Sequence, residues 1–202
     1  MKKSMLCRLT TLGFCVALMT LAFATQAIAQ SGNSNVDVSF LPVRNFATGA
    51  KIPSSGASLS RRKDGVFFTL HTQGLPPGHV VSAWLAVFNN PQFCATNPCT
   101  PADFNNPHVD GTPMNNGAQI IGTDGAATYG AYREIGDATG ARPGVGTGNG
   151  IVDARRAEIH LVLRSHGLAS SDPLVLAEQL TMFNGGCPPN TCVNIQASVF
   201  QR

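Results

Sequence analysis

Strict alternation of side-chain character limits this chain more than any other feature. Residues 157–164 read Ala-Glu-Ile-His-Leu-Val-Leu-Arg, so Ala157, Ile159, Leu161 and Leu163 share one face and Glu158, His160, Val162 and Arg164 the other. Strand side chains point to opposite faces at each step, so a period of two makes a strand with one buried side; a helix would scatter the same apolar groups around its axis. The outward set, Glu158, His160 and Arg164, is expected to form a polar surface. The period returns at Val36, Val38 and Phe40, and again at Val193, Ile195, Ala197 and Val199 against Asn194, Gln196 and Ser198.

Turn formers separate these runs. Lys63-Asp64-Gly65 lies between Leu59–Arg62 and Val66–Thr72 and predicts a hairpin whose Asp-Gly step takes positive φ. Thr123-Asp124-Gly125 predicts a second hairpin, joining residues 119–122 to 126–133. Gly74-Leu75-Pro76-Pro77-Gly78 is a rigid turn before His79–Phe88, the longest apolar run, whose two apolar faces suit a strand covered on each side. Trp84, Phe67, Phe68 and Phe88 are expected in the core. Residues 89–117 are rich in Pro and Asn and read as a surface excursion; glycine-rich residues 136–150 read as a flexible hairpin connection. Asp172 and Pro173 supply the cap and first position of a short helix over residues 173–181. Seven or eight short strands and at most one short helix make an all-β, antiparallel two-sheet sandwich of immunoglobulin-like build.

Residues 1–29 read as a cleavable signal peptide. Lys2, Lys3 and Arg8 precede an apolar run from Leu9 to Ala24, and Ala27 and Ala29 fit the small-residue cleavage rule. An uncleaved anchor helix is the alternative reading of the same run. Cleavage leaves residues 30–202 as a single β-sandwich domain exported to a bacterial periplasm or the medium, with no membrane attachment. Without the leader's three basic residues, 11 of the 14 Lys and Arg remain, equal to the 11 Asp and Glu. A neutral domain has no electrostatic footprint for nucleic acid or an anionic membrane.

Cys94, Cys99, Cys187 and Cys192 follow the leader, each pair spaced Cys-x4-Cys in a Pro- and Asn-rich loop. An even count in an exported chain favours disulfides. The local pairings, 94 with 99 and 187 with 192, are preferred because both loops are built to turn back. Cross-pairing of the two loops is the main alternative, and a four-cysteine zinc site is a third.

Three segments carry a resemblance: Phe88-Asn89-Asn90-Pro91 with Cys94 and Cys99, Ala157-Glu158-Ile159-His160-Leu161-Val162-Leu163-Arg164-Ser165-His166-Gly167, and Phe183-Asn184-Gly185-Gly186-Cys187. Over most of residues 30–202 the chain resembles an exported bacterial family of unknown function, which implies no activity and no catalytic residues. More loosely it resembles chordin-type (CHRD) β-sandwich domains, which combine a Gly-Leu-Pro-Pro-Gly-like turn with a histidine-bearing strand. Those domains carry a His-x-His pair; this chain has His160 alone on the matching strand.

The reading that follows is a non-enzymatic binding or structural module without a cofactor, whose extracytoplasmic ligand or protein partner docks on the loops 89–117 and 136–153. Asp103, His108, Asp110, Asp137, Asn149 and Asp153 are the polar groups those loops offer; Asp137, Asn149 and Asp153 also have oxygens suited to calcium, without an EF-hand pattern. The competing reading is a copper or zinc protein in which His71, His79, His160 and His166 converge, with Glu158 nearby. A hydrolase is the third, although neither a Gly-x-Ser-x-Gly elbow nor a His-Glu-x-x-His helix occurs.

Overall fold

The computed structural model describes residues 36–202; the segment read as a signal peptide lies outside them. Nine strands occur among the described residues: β1 (Asp37–Leu41), β2 (Arg44–Asn45), β3 (Gly56–Arg61), β4 (Gly65–Thr72), β5 (His79–Phe88), β6 (Gly111–Ile120), β7 (Ala127–Glu134), β8 (Glu158–Leu168) and β9 (Val193–Phe200). One helix, α1 (Pro173–Thr181), and two 3-10 turns, Pro91–Phe93 and Pro101–Asn105, complete the order. The sheets run β1-β3-β4-β7 and β2-β9-β8-β5-β6, antiparallel throughout. This is the expected all-β two-sheet sandwich. The ninth strand is β2, whose two residues leave no periodic trace.

The buried phases of both sheets meet in one core. Leu59, Val66, Phe68 and Leu70 from the first sheet face Val81, Leu85, Val87, Ile159, Leu161 and Leu163 from the second. Three polar ties cross between the layers. The Tyr129 hydroxyl donates to the Val81 carbonyl at 2.9 Å, Thr72 Oγ1 donates to Gln196 Oε1, and Arg61 donates to carbonyls at the end of β9 and in the turn before β8. Burial pushes the Tyr129 pKa up to about 12, so that hydroxyl stays a donor. On β9 the polar phase is the inward one: Gln196 and Ser198 are buried with Phe200.

Several local expectations are corrected by tertiary contacts. The β3–β4 hairpin forms, closed by Arg62 N donating to Gly65 O at 2.8 Å, but neither Asp64 nor Gly65 has positive φ. Gly65 is glycine because a Cβ there would lie 2.2 Å from the Arg133 carbonyl on β7. Residues 119–133 do not form a hairpin, since β6 pairs with β5 and β7 with β4, and the Asp124-Gly125 turn carries the chain between sheets. Gly111–Ile120 is a ten-residue edge strand rather than part of a surface excursion. Its Pro113 suits an edge, where no ladder donor is needed on one side. Phe67 lies outside the core, 42% exposed, because it is out of phase with Val66 and Phe68.

The largest correction concerns the outer face of the five-stranded sheet. Glu158, His160 and Arg164 are on that face as expected, yet they are buried. Loops and α1 form a third layer over it. Phe104 stacks on Phe88 at 4.7 Å between ring centroids, and Phe183 meets Trp84 edge-on at 5.0 Å. Residues 136–150 are no free hairpin either. Thr147 N donates to Gly111 O, Arg142 N to Pro113 O and Asn115 N to Gly140 O, each at 2.9 Å, so the loop covers the open edge of β6. Gly146 permits this at φ +72, where a Cβ would sit 2.0 Å from Gly111 O.

Candidate functional site

A cleft of about 540 Å³ opens beside the Glu158 end of β8, lined by Pro91, Gln92, Cys94–Asn97, Arg155, Arg156, Glu158 and Arg202. One wall is the Cys94–Cys99 disulfide loop. Asp103 shapes that loop from beneath by accepting Ala95 N at 2.8 Å, Thr100 N at 2.7 Å and the Thr100 hydroxyl at 2.9 Å. Burial works to raise the Asp103 pKa, but these three donors outweigh it and the group ends below its ordinary value.

Glu158 joins the loop to the sheet. Its Oε1 accepts Cys99 N and His160 Nε2, both at 2.7 Å. The two side chains are neighbours on one strand face because they are two residues apart. The bond places a proton on His160 Nε2, and the ring rests on Phe88 at 5.0 Å. The opposite wall is the tight turn 153–157, in which Arg155 N donates to Asp153 Oδ1 at 2.9 Å and the Arg155 and Arg156 side chains are exposed. Arg202 pairs with Asp37 and lies on the rim. Arg155, Arg156 and Arg202 bring three guanidinium groups to the cleft, of which Arg202 is paired with Asp37, while Glu158 turns its carboxylate inward to the Cys99 amide.

Arg61 supports that turn from inside. It is 1% exposed, and Nη1 donates to Ala157 O at 2.6 Å and Ala154 O at 3.0 Å, while Nη2 donates to Phe200 O at 3.1 Å. Burial, reinforced by the charge of Arg202, lowers its pKa to about 10; Asp37 and Glu158 act the other way. It stays protonated at neutral pH.

At the other end of β8, His166 is fully buried under α1 and the loop 182–192. Its Nε2 lies 2.7 Å from Ser82 Oγ and its Nδ1 3.1 Å from the Gly185 carbonyl. The carbonyl only accepts, so Nδ1 carries the proton and Ser82 donates to Nε2. Ser82 Oγ also accepts Trp84 Nε1 at 2.8 Å. Serine, histidine and an acceptor in a row have the connectivity of an acyl-transfer triad, but Ser82 and His166 are both 0% exposed, so no substrate carbonyl reaches the hydroxyl. Here the row pins β5, β8 and the loop together. Nearby, Phe183 is sandwiched between the guanidinium groups of Arg142 and Arg164, each 4.0 Å from its centroid.

Compared with protein-family models, with curated proteins and with solved structures, the chain matches none.

The sequence candidates are distributed as follows. Both local disulfides, Cys94–Cys99 and Cys187–Cys192, are present. The four histidines hold separate places. His71 is on the exposed outer face of the first sheet with Nδ1 3.0 Å from Thr128 Oγ1; His79 Nδ1 is 2.9 Å from Ser165 Oγ. His160 and His166 share β8 but are six residues apart, about 20 Å along a strand. Among the described residues the one group with three ligand atoms in mutual reach is His166, Cys187 and Cys192.

The loop candidates are also dispersed. Asp110 and Asn149 meet, Asn149 Nδ2 donating to Asp110 Oδ1 at 2.8 Å. Asp137 instead pairs with Arg133 at 2.9 Å, Asp153 holds the turn before Arg155, and His108 lies against Phe93. Asp103 is buried. Sequence reasoning passed over Arg61, Glu158 as an anchor, and the three cleft arginines. For Arg61 a signal existed, since Ala57 and Leu59 set the inward phase and residue 61 continues it.

Proposed function

We propose that the protein works outside the cytoplasm as a non-enzymatic binding module whose cleft takes an anionic ligand, a carboxylate, phosphate or sulfate group on a small molecule or glycan. The observation that carries this reading is the 540 Å³ cleft bordered by Arg155, Arg156 and Arg202. Guanidinium forks match such oxyanions in two-pronged geometry. The cleft falls at the border of the loops expected to dock a partner, and its wall is braced by Asp103, Glu158 and a disulfide rather than left to side-chain entropy. Two disulfides fit an oxidising compartment, and no helix among the described residues is long and apolar enough to cross a membrane. The leader read in residues 1–29 supplies the export route, and the resemblance to exported bacterial proteins agrees with it.

Calorimetric titration with inorganic phosphate, sulfate and a short oligouronate tests the reading. At least one of the three binds, and Arg155→Ala with Arg156→Ala weakens it at least tenfold while His71→Ala leaves it unchanged. No binding by any of the three, or binding indifferent to the double substitution, refutes it.

A further inference from the structure

The second disulfide differs from the first in what stands behind it. In the first, Cys94 is half-buried, Cys99 is 4% exposed and Cys99 Sγ lies 3.9 Å from the Pro91 carbonyl; in the second, Cys187 and Cys192 are both half-buried and His166 Nδ1 lies 3.5 Å from Cys192 Sγ. The nitrogen and both sulfurs lie within 4.8 Å of one another. We propose that Cys187, Cys192 and His166 form a redox-gated site for a thiophilic metal ion, Zn(II) or Cu(I), closed as the disulfide and opened by a dithiol reductant.

The electron balance is simple. A dithiol transfers two electrons and two protons to the Cys187–Cys192 bond, giving two thiols and the reductant's own disulfide. A divalent ion then displaces both thiol protons to solvent. Two thiolates balance its two charges, and His166 binds as a neutral imidazole. Cu(I) sits in the same set with one net negative charge, opposite Arg164. Sulfur and imidazole donors select these ions over oxygen-seeking Ca²⁺ or Mg²⁺. The half-exposed sulfurs leave a fourth position open to water.

The surroundings fit a ligand histidine. To bind through Nδ1, His166 moves its proton to Nε2, which needs an acceptor. Ser82 Oγ is there at 2.7 Å, and its own proton has a second acceptor in the Arg164 carbonyl at 3.5 Å. Ser82 thus serves either tautomer by rotating its hydroxyl, the outer-shell partner that metal-bound imidazoles require. The seat is rigid. Gln179, fully buried, donates to His166 O at 3.2 Å and Leu168 O at 2.9 Å, and Gly185 packs so closely on α1 that a Cβ would lie 1.8 Å from Glu178 O.

The test is to reduce the purified protein with a phosphine, remove it anaerobically, and titrate Zn(II) against a chromophoric competitor. Reduced protein binds one equivalent that oxidised protein does not. Cys187→Ser with Cys192→Ser abolishes that equivalent, Cys94→Ser with Cys99→Ser retains it, and His166→Gln or Ser82→Ala weakens it at least tenfold. Co(II) in place of Zn(II) gives thiolate-to-metal charge-transfer absorption, which reports the sulfurs even where a variant folds poorly. No added equivalent on reduction overturns the site, as does an equivalent that survives the Cys187/Cys192 substitution or disappears with the Cys94/Cys99 pair.

Discussion

The guanidinium of Arg61 donates to the carbonyl of Ala157 across 2.6 Å, joining an inward residue of the first sheet to the turn that carries Arg155 and Arg156. It reaches Ala154 and Phe200 as well, so one side chain holds β3, the cleft turn and the end of β9. A buried cation is costly unless its donors are paired; the three carbonyls engage Nη1 and Nη2, while Nε is buried without a partner among the described residues.

Arg61→Ala therefore leaves three buried carbonyls without this donor and opens a gap between layers. The expected loss is about 3 kcal/mol in urea unfolding. Arg61→Lys keeps the charge but lacks the fork, and loses about 1–2 kcal/mol. Equal stability of wild type and Arg61→Ala would mean that the network carries no weight.

Asn89, at the end of β5, holds two loops together. Its Nδ2 donates to Asp110 O at 2.9 Å and Gly150 O at 3.0 Å, and its Oδ1 accepts Val152 N at 2.9 Å. Asn89→Ala should cost about 2 kcal/mol. Amide hydrogen exchange gives the sharper reading, since the Val152 amide loses its acceptor and should exchange faster while amides in the β3–β4 ladder keep their protection.

The Cys94–Cys99 link closes a loop of sequence separation 5. A loop this short constrains the unfolded chain modestly, about 2 kcal/mol on the chain-entropy relation. Cys94→Ala with Cys99→Ala should lower the unfolding free energy by that amount, read as a lower urea midpoint, and leave the sheet signal in circular dichroism intact. It should also weaken anion binding, because the cleft loses a fixed wall.

Asp137 gives a pH dependence of known sign. Hydrogen bonds from Thr139, side chain first and then backbone, with Arg133, lower its pKa to about 2. The unfolded chain takes up this proton near the ordinary value of 3.8, so over pH 2–4 the unfolded state binds more protons. The contribution is complete above about pH 4 and fades as pH falls towards 2. Urea midpoints measured at pH 5 and pH 2.5 should converge in Asp137→Asn relative to wild type; an identical pH slope in the two proteins would contradict the assignment.

The disulfides, the β3–β4 hairpin and α1 were legible because their causes are local. Asp172 accepts Leu174 N at 2.8 Å and Pro173 opens the helix, both written in adjacent residues. The inward phase of β8 was legible for the same reason. β6 was hidden because Pro113, Asn115 and Asn116 read as loop; its pairing with β5 outweighs those propensities. The candidate site was less visible still, since its arginines come from residues 155, 156 and 202, and only the fold joins them to the loop 91–97.

Alternation and turn chemistry by themselves determined that this chain makes two antiparallel sheets and which side of β8 enters the core; they favoured the local cysteine pairings, and the structure decided them. Tertiary structure alone decided what lies over the other side. A period of two specifies two faces but not their surroundings, so Glu158, His160 and Arg164 read as solvent-facing until Phe104, Phe183 and the disulfide loops are placed above them. Burial is a property of what packs on a residue, and here the packing partners come from segments whose own sequences carry no periodic signal.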